Sequence, residues 1–119
     1  MKAKKIMATT LLLSGFLIPA SIYAASKGFS YKFKHQLTIG YNYSTKDDLY
    51  VSTHTRSFGG SDGFVIKVYN DNGGLVDSAY VNYERGTEIF KVKEGKRYGV
   101  EFWKKLDGLY VEGGGTRSY

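Results

Sequence analysis

An antiparallel β-sandwich is the fold this sequence predicts: all-β, of six to seven short strands, immunoglobulin-like or jelly-roll-like. Three observations lead there. Apolar and polar residues alternate with period two along most of the chain. Turn residues (Gly, Asn, Asp) separate the alternating runs at roughly 8–12-residue intervals. Once the N-terminal segment is set aside, Ala, Met and Leu are scarce while Tyr, Phe, Val and Thr abound, a composition that favours strands over helices.

The N-terminal segment reads separately. Lys2, Lys4 and Lys5 precede an apolar run from Ile6 to Pro19, and Ser21-Ile22-Tyr23-Ala24 offers a small residue for cleavage. This is the pattern of a helical secretory signal peptide, residues 1–24, cleaved after Ala24. Its apolar run of about 14 residues is shorter than the ~20 that span a bilayer. Residues 25–119 are then one β-sandwich domain, secreted and without a transmembrane span, free or associated with a cell surface. No cysteine occurs anywhere, so disulfides, thiol nucleophiles and thiolate zinc sites are excluded. An exported domain this small therefore relies on ring packing and strand pairing for its stability.

Phe29, Tyr31, Phe33, Leu37, Ile39, Tyr41 and Tyr43 occupy odd positions, with polar residues or glycine at the even positions between them. Fifteen residues at ~3.3 Å each are too long for one strand in a small domain, so a break or bulge is expected near His35 or Gly40. Leu49–Arg56 is the next strand, followed by the loop Arg56–Gly63. Phe64–Asn70 and Leu75–Tyr83 flank Asn72-Gly73, the strongest short hairpin signal. That turn pairs Asn70 with Leu75 and Ile66 with Ala79, and sets Phe64, Ile66, Val68, Ala79 and Val81 on one face. Thr87–Lys93 and Arg97–Lys104 read as a second hairpin, and Leu109–Glu112 as a last strand with a glycine tail beyond it.

Chemistry-bearing motifs are few. His35 and His54, with Lys34, Arg56 or Glu101, are the residue types a small nuclease would use as base, acid and phosphate holder. Asp47, Asp48, Asp62 and Asp71 are carboxylates a calcium ion would take, although Asn70-Asp71-Asn72-Gly73 lacks the glutamate of a calcium loop. The glycines of Gly59–Gly63 lack the Gly-Lys-Ser/Thr of a phosphate loop. The chain is therefore read as a non-enzyme with no cofactor and no metal.

Two surface features point to binding. Removing the leader's three lysines lowers the net charge from +6 to +3, distributed as +4 over residues 25–46, −4 over 47–90 and +3 over 91–119. If the first and last strands are neighbours, Lys32, Lys34, Lys91, Lys93 and Lys104 merge into one basic face. Rings also fall on the outward parity: Tyr50, Tyr69, Tyr80, Trp103 and Tyr110, with Trp103 set across a short loop from Tyr110. Rings exposed on a sheet stack on sugars or fill interfaces, or pair with each other across strands. The expectation is a module that binds anionic cell-surface or extracellular polymers such as wall polysaccharide, with no nucleic-acid partner. A bacteriocin-like or membrane-active β protein is the alternative, and a small nuclease the third reading.

Overall fold

A computed structural model describes residues 26–119; the signal peptide assigned to residues 1–24 lies outside them. Eight strands follow in order: β1 (Ser26–Phe33), β2 (Gln36–Tyr43), β3 (Asp48–Ser57), β4 (Phe64–Asn70), β5 (Leu75–Val81), β6 (Arg85–Lys91), β7 (Arg97–Trp103) and β8 (Val111–Ser118). They form two four-stranded antiparallel sheets packed face to face. Sheet I has the order β1-β8-β3-β6 and sheet II the order β2-β7-β4-β5. Among the described residues no helix is long and apolar enough to cross a membrane.

The all-β sandwich agrees with the sequence pattern, and the strand count rises to eight because the first long run divides. One irregularity is expected, near His35 or Gly40, and the chain has one at each. The chain bends at Lys34–His35, sending β1 and β2 to different sheets. A bulge then interrupts β2 between Thr38 and Gly40, where Gly40 has φ 130°, a conformation L side chains rarely adopt.

Two expected hairpins are corrected. β6 lies in sheet I and β7 in sheet II, so the turn at Glu94-Gly95 crosses between layers. Phe90 and Val92 therefore face Tyr98, Val100 and Phe102 across the core rather than lying beside them. Parity alone fits both arrangements, but only the crossing covers both apolar faces. For the same reason Trp103 and Tyr110 do not pair: the chain changes sheets between them. Only β4 and β5 are consecutive partners within one sheet. Their register matches expectation at Ile66–Ala79, but a bulge after Val68 pairs Leu75 with Tyr69 instead of Asn70. Asn70 serves the turn instead, its Oδ1 accepting from the amides of Asn72 (3.0 Å) and Gly74 (2.8 Å).

The largest correction concerns the glycine tail, which is no tail. Gly113, Gly114 and Gly115 lie inside β8, between β1 and β3. Tyr31 pairs with Gly113 and Phe29 with Gly115, and each ring covers the bare backbone of its glycine partner. A strand glycine under a cross-strand ring gives up its own packing and receives the ring's in return.

Tyr31, Phe33, Phe64 and Phe102 make the centre of the core, with ring centroids 4.9 Å apart for Phe64–Phe102 and 5.2 Å for Tyr31–Phe102. Each well-placed ring pair contributes ~0.5–1.5 kcal/mol beyond area burial, which supplies cohesion a disulfide would otherwise give. Leu49, Val51, Ile66, Val68, Val100 and Val111 fill the remaining interior.

Two inner tyrosines make stability pH-dependent. The Tyr31 hydroxyl bonds Thr55 Oγ1 at 2.8 Å, and burial raises its pKa above the ordinary 10.0. Tyr83 donates to Glu88 at 2.6 Å, and burial first, then that carboxylate, raise its pKa strongly. Unfolded tyrosines lose protons near pH 10 while these two keep theirs, so the unfolded state binds fewer protons and stability falls as pH rises from there. The urea midpoint is expected to drop above about pH 10, and Tyr83→Phe to flatten the drop. A variant losing stability as steeply as the parent would refute this origin.

Candidate functional site

The outer face of sheet II gathers most of the exposed rings. Pairing sets its rows: Gln36, Trp103, Val65 and Tyr80, then Thr38, Glu101, Lys67 and Ser78, then Tyr41, Gly99, Tyr69 and Leu75. Tyr43 and Arg97 make a fourth row at the end of the face. Trp103, Tyr69 and Tyr80 were legible as outward residues. Tyr41 and Tyr43 were not, because strict alternation from Phe29 puts them inside. The Gly40 bulge adds one residue to β2 and so reverses the parity beyond it. Tyr43 is 66% exposed in consequence.

The rings are fixed by what lies under and beside them. Tyr41 lies flat on Gly99, where a Cβ would come within 2.4 Å of the ring. Arg97 stacks 4.9 Å from the Tyr41 centroid and donates to Asp71 at 2.6 Å. The Lys67 ammonium stands 4.8 Å over Trp103, with Glu101 as its direct neighbour on β7. Tyr69 donates to Glu101 at 3.2 Å, and burial together with that carboxylate raises its pKa. Arg97 is thus paired with Asp71, while Lys67 has Glu101 as its cross-strand neighbour without an ion pair among the described residues. A depression of about 230 Å³ opens between Tyr41, Tyr69, Thr38 and Glu101. Another of about 180 Å³ lies beside Trp103 and Tyr80.

Two predicted rings lie elsewhere. Tyr50 is on the outer face of sheet I under the Lys46 ammonium, 4.6 Å from its centroid. Tyr110 precedes β8, with Lys32 and Lys34 at 5.5 and 5.8 Å from its ring.

The expected lysine face does not assemble. Lys32 occupies the Glu112 row at one end of edge strand β1. Lys91 sits in the Asp48 row at the far end of the opposite edge strand β6, paired with Asp48 at 2.9 Å. Lys93 is in the turn beyond it, its amide bonded to the Tyr98 hydroxyl. Lys104 is buried, its ammonium donating to the carbonyls of Lys34 and Lys105 and to Asp107. The parity that puts Phe102 inside also puts Lys104 inside, so this signal was available. There it pins the β1–β2 corner: its amide donates to the His35 carbonyl at 2.8 Å, and its carbonyl lies 2.7 Å from His35 Nδ1.

The structure does not bring the two histidines together. His35 packs on Trp103 at 5.7 Å on the sheet II side. His54 points outward from sheet I, 3.5 Å from Glu84. Of the four aspartates weighed for calcium, Asp47 accepts from the Glu94 amide, Asp48 pairs with Lys91 and Asp71 with Arg97. Among the described residues no three His, Cys, Asp or Glu side chains converge.

No family model matches the chain, and no curated protein matches it. Among solved structures it is similar to PliG of Aeromonas hydrophila, a periplasmic lysozyme inhibitor of g-type lysozyme. The identity is 12%, the match covers 84% of this chain and 90% of that one, and the TM-score is 0.45.

Proposed function

We propose that the protein is a secreted, non-enzymatic binding module whose outer sheet II face takes a polysaccharide of the cell surface or extracellular matrix. One observation carries this reading. Trp103, Tyr80, Tyr69, Tyr41 and Tyr43 share one face, yet none of the described ring pairs joins any two of them; Trp103 has His35 as its ring neighbour. Cross-strand ring pairing, which would explain them as sheet stabilisers, is therefore not their arrangement. Spaced rings with Thr38, Gln36 and Glu101 between them suit a chain of sugars, which offers C–H faces to rings and hydroxyls to polar groups. Because Arg97 is paired with Asp71 and Lys67 has Glu101 as its cross-strand neighbour, the face carries little net charge and selects shape more than charge.

Retention on insoluble wall polysaccharide tests this. Trp103→Ala is expected to weaken binding about tenfold, or ~1.4 kcal/mol, while Tyr50→Ala on the other sheet leaves it unchanged. Retention should also depend little on salt. Equal retention of a Trp103, Tyr69 and Tyr41 triple alanine variant would sink the reading.

A further inference from the structure

We infer that the opposite face, the outer surface of sheet I, holds a second site, independent of the ring face, for the anionic groups of an acidic polysaccharide. A groove of about 410 Å³ runs there between Ser52, His54, Arg56, Arg85, Thr87 and Thr116. Its floor is Gly114, in the row Ser30, Gly114, His54 and Arg85. This glycine differs from its neighbours. A Cβ at Gly113 or Gly115 would strike the backbone of β3, at 2.4 and 2.1 Å, so packing requires both to be glycine. At Gly114 a Cβ would meet only ordinary contacts, 3.4 Å to the Phe29 carbonyl and 3.9 Å to Arg56, so the fold makes no such demand. What the missing side chain leaves is depth beneath the basic groups.

Those groups are unevenly matched by acid. Arg56 lies 3.7 Å from Glu112 and His54 3.5 Å from Glu84. Arg85, Lys32 and Lys34 make no ion pair among the described residues. Lys32 and Lys34 crowd one Tyr110 ring and extend the basic band along β1 beyond the groove. In the groove two guanidiniums and His54 thus face two carboxylates, and Lys32 and Lys34 add two cations without an ion pair just beyond it. Guanidinium forks suit carboxylate and sulfate oxygens, and the Ser and Thr hydroxyls suit the sugar between them. No bare ring lies in the groove to stack a base, which argues for an acidic polysaccharide over a nucleic acid.

Affinity for dextran sulfate, measured by titration calorimetry on the exported chain, tests this, with uncharged dextran and poly(dT) as separate arms. Arg85→Ser and Gly114→Val, the latter filling the floor, are each expected to weaken dextran sulfate binding at least tenfold. Lys91→Ser with Lys93→Ser should change it less than twofold, and poly(dT) should bind at least tenfold more weakly. Circular dichroism melts confirm that Gly114→Val is folded, and Arg85→Ser makes the same test without altering the backbone. Full affinity in both groove variants, equal loss in the Lys91/Lys93 variant, or equal affinity for poly(dT) would overturn the site.

Discussion

Replacing Gly115 with alanine is expected to cost more than about 3 kcal/mol of stability, a large fraction of the ~5–15 kcal/mol that holds a domain together. The added methyl would stand 2.1 Å from the Ser52 carbonyl oxygen and 3.2 Å from the Phe29 ring. A ring can tilt, but the carbonyl belongs to β3, the neighbour of β8 in the middle of sheet I. Relief requires prising β8 from β3, which gives up ladder hydrogen bonds and lifts Phe29 off the strand it covers. Overpacking of a well-filled interior costs ~1–3 kcal/mol even where side chains absorb the strain, and backbone absorbs it less readily. At ~4–8 °C per kcal/mol for a domain of this size, the melting midpoint should fall by more than about 12 °C. Gly114→Ala, one residue away on the open face, should stay within ~0.5 kcal/mol of the parent. Thermal melts by circular dichroism distinguish the two. Similar midpoints for both variants would show that the glycines of β8 are not held by close approach.

That pair of variants also marks where the sequence stops being legible. Layered β architecture could be read because alternation and Asn-Gly chemistry are local, and the inward sets of β4, β5 and β7 followed from it. Strand partnership could not, since β6 and β7 carry the same parity whether they pair within a sheet or face each other across the core. β8 was cut short because Gly113-Gly114-Gly115 has no side chains to alternate; its pattern lies in Phe29 and Tyr31, eighty-odd residues earlier on the strand beside it. The ring face was half legible. Trp103, Tyr69 and Tyr80 keep regular parity, whereas Tyr41 and Tyr43 depend on a single inserted residue. An irregularity at Gly40 is legible in the sequence, and one extra residue there turns both tyrosines outward. Charge misled most, because counting lysines along the chain says nothing of Lys104 turned inward or of Lys91 held by Asp48.

Arg117 is the other charge that counting misplaces, and removing it is expected to have the second large effect. It projects inward from β8 and is almost fully buried. Its Nη1 donates to the Gly40 carbonyl at 2.6 Å and its Nη2 to the Tyr98 carbonyl at 2.9 Å, so a side chain of sheet I grips the backbone of two sheet II strands. Burial lowers its pKa to about 10, which leaves it charged at neutral pH. Among the described residues no carboxylate pairs with it and its Nε finds no partner; the Tyr119 ring lies 5.2 Å away. Arg117→Ala would strand two buried carbonyls, each worth ~1–3 kcal/mol, and open a cavity, while removing the burden of a desolvated charge. The balance should be a loss of about 3 kcal/mol in urea unfolding. Arg117→Lys should recover only part of it, because an ammonium lacks the planar fork that spans both carbonyls. The consequence reaches the ring face, since Gly40 is the bulge that turns Tyr41 and Tyr43 outward. Without the guanidinium on its carbonyl, that bulge loses its anchor to sheet I, and under the proposed function polysaccharide retention should weaken along with stability. Arg117→Met keeps the bulk but not the bonds, and separates the two effects. If it restores the urea midpoint while retention stays low, Arg117 sets the ring face through Gly40. If stability and retention recover together, the side chain acts only by filling space between the sheets.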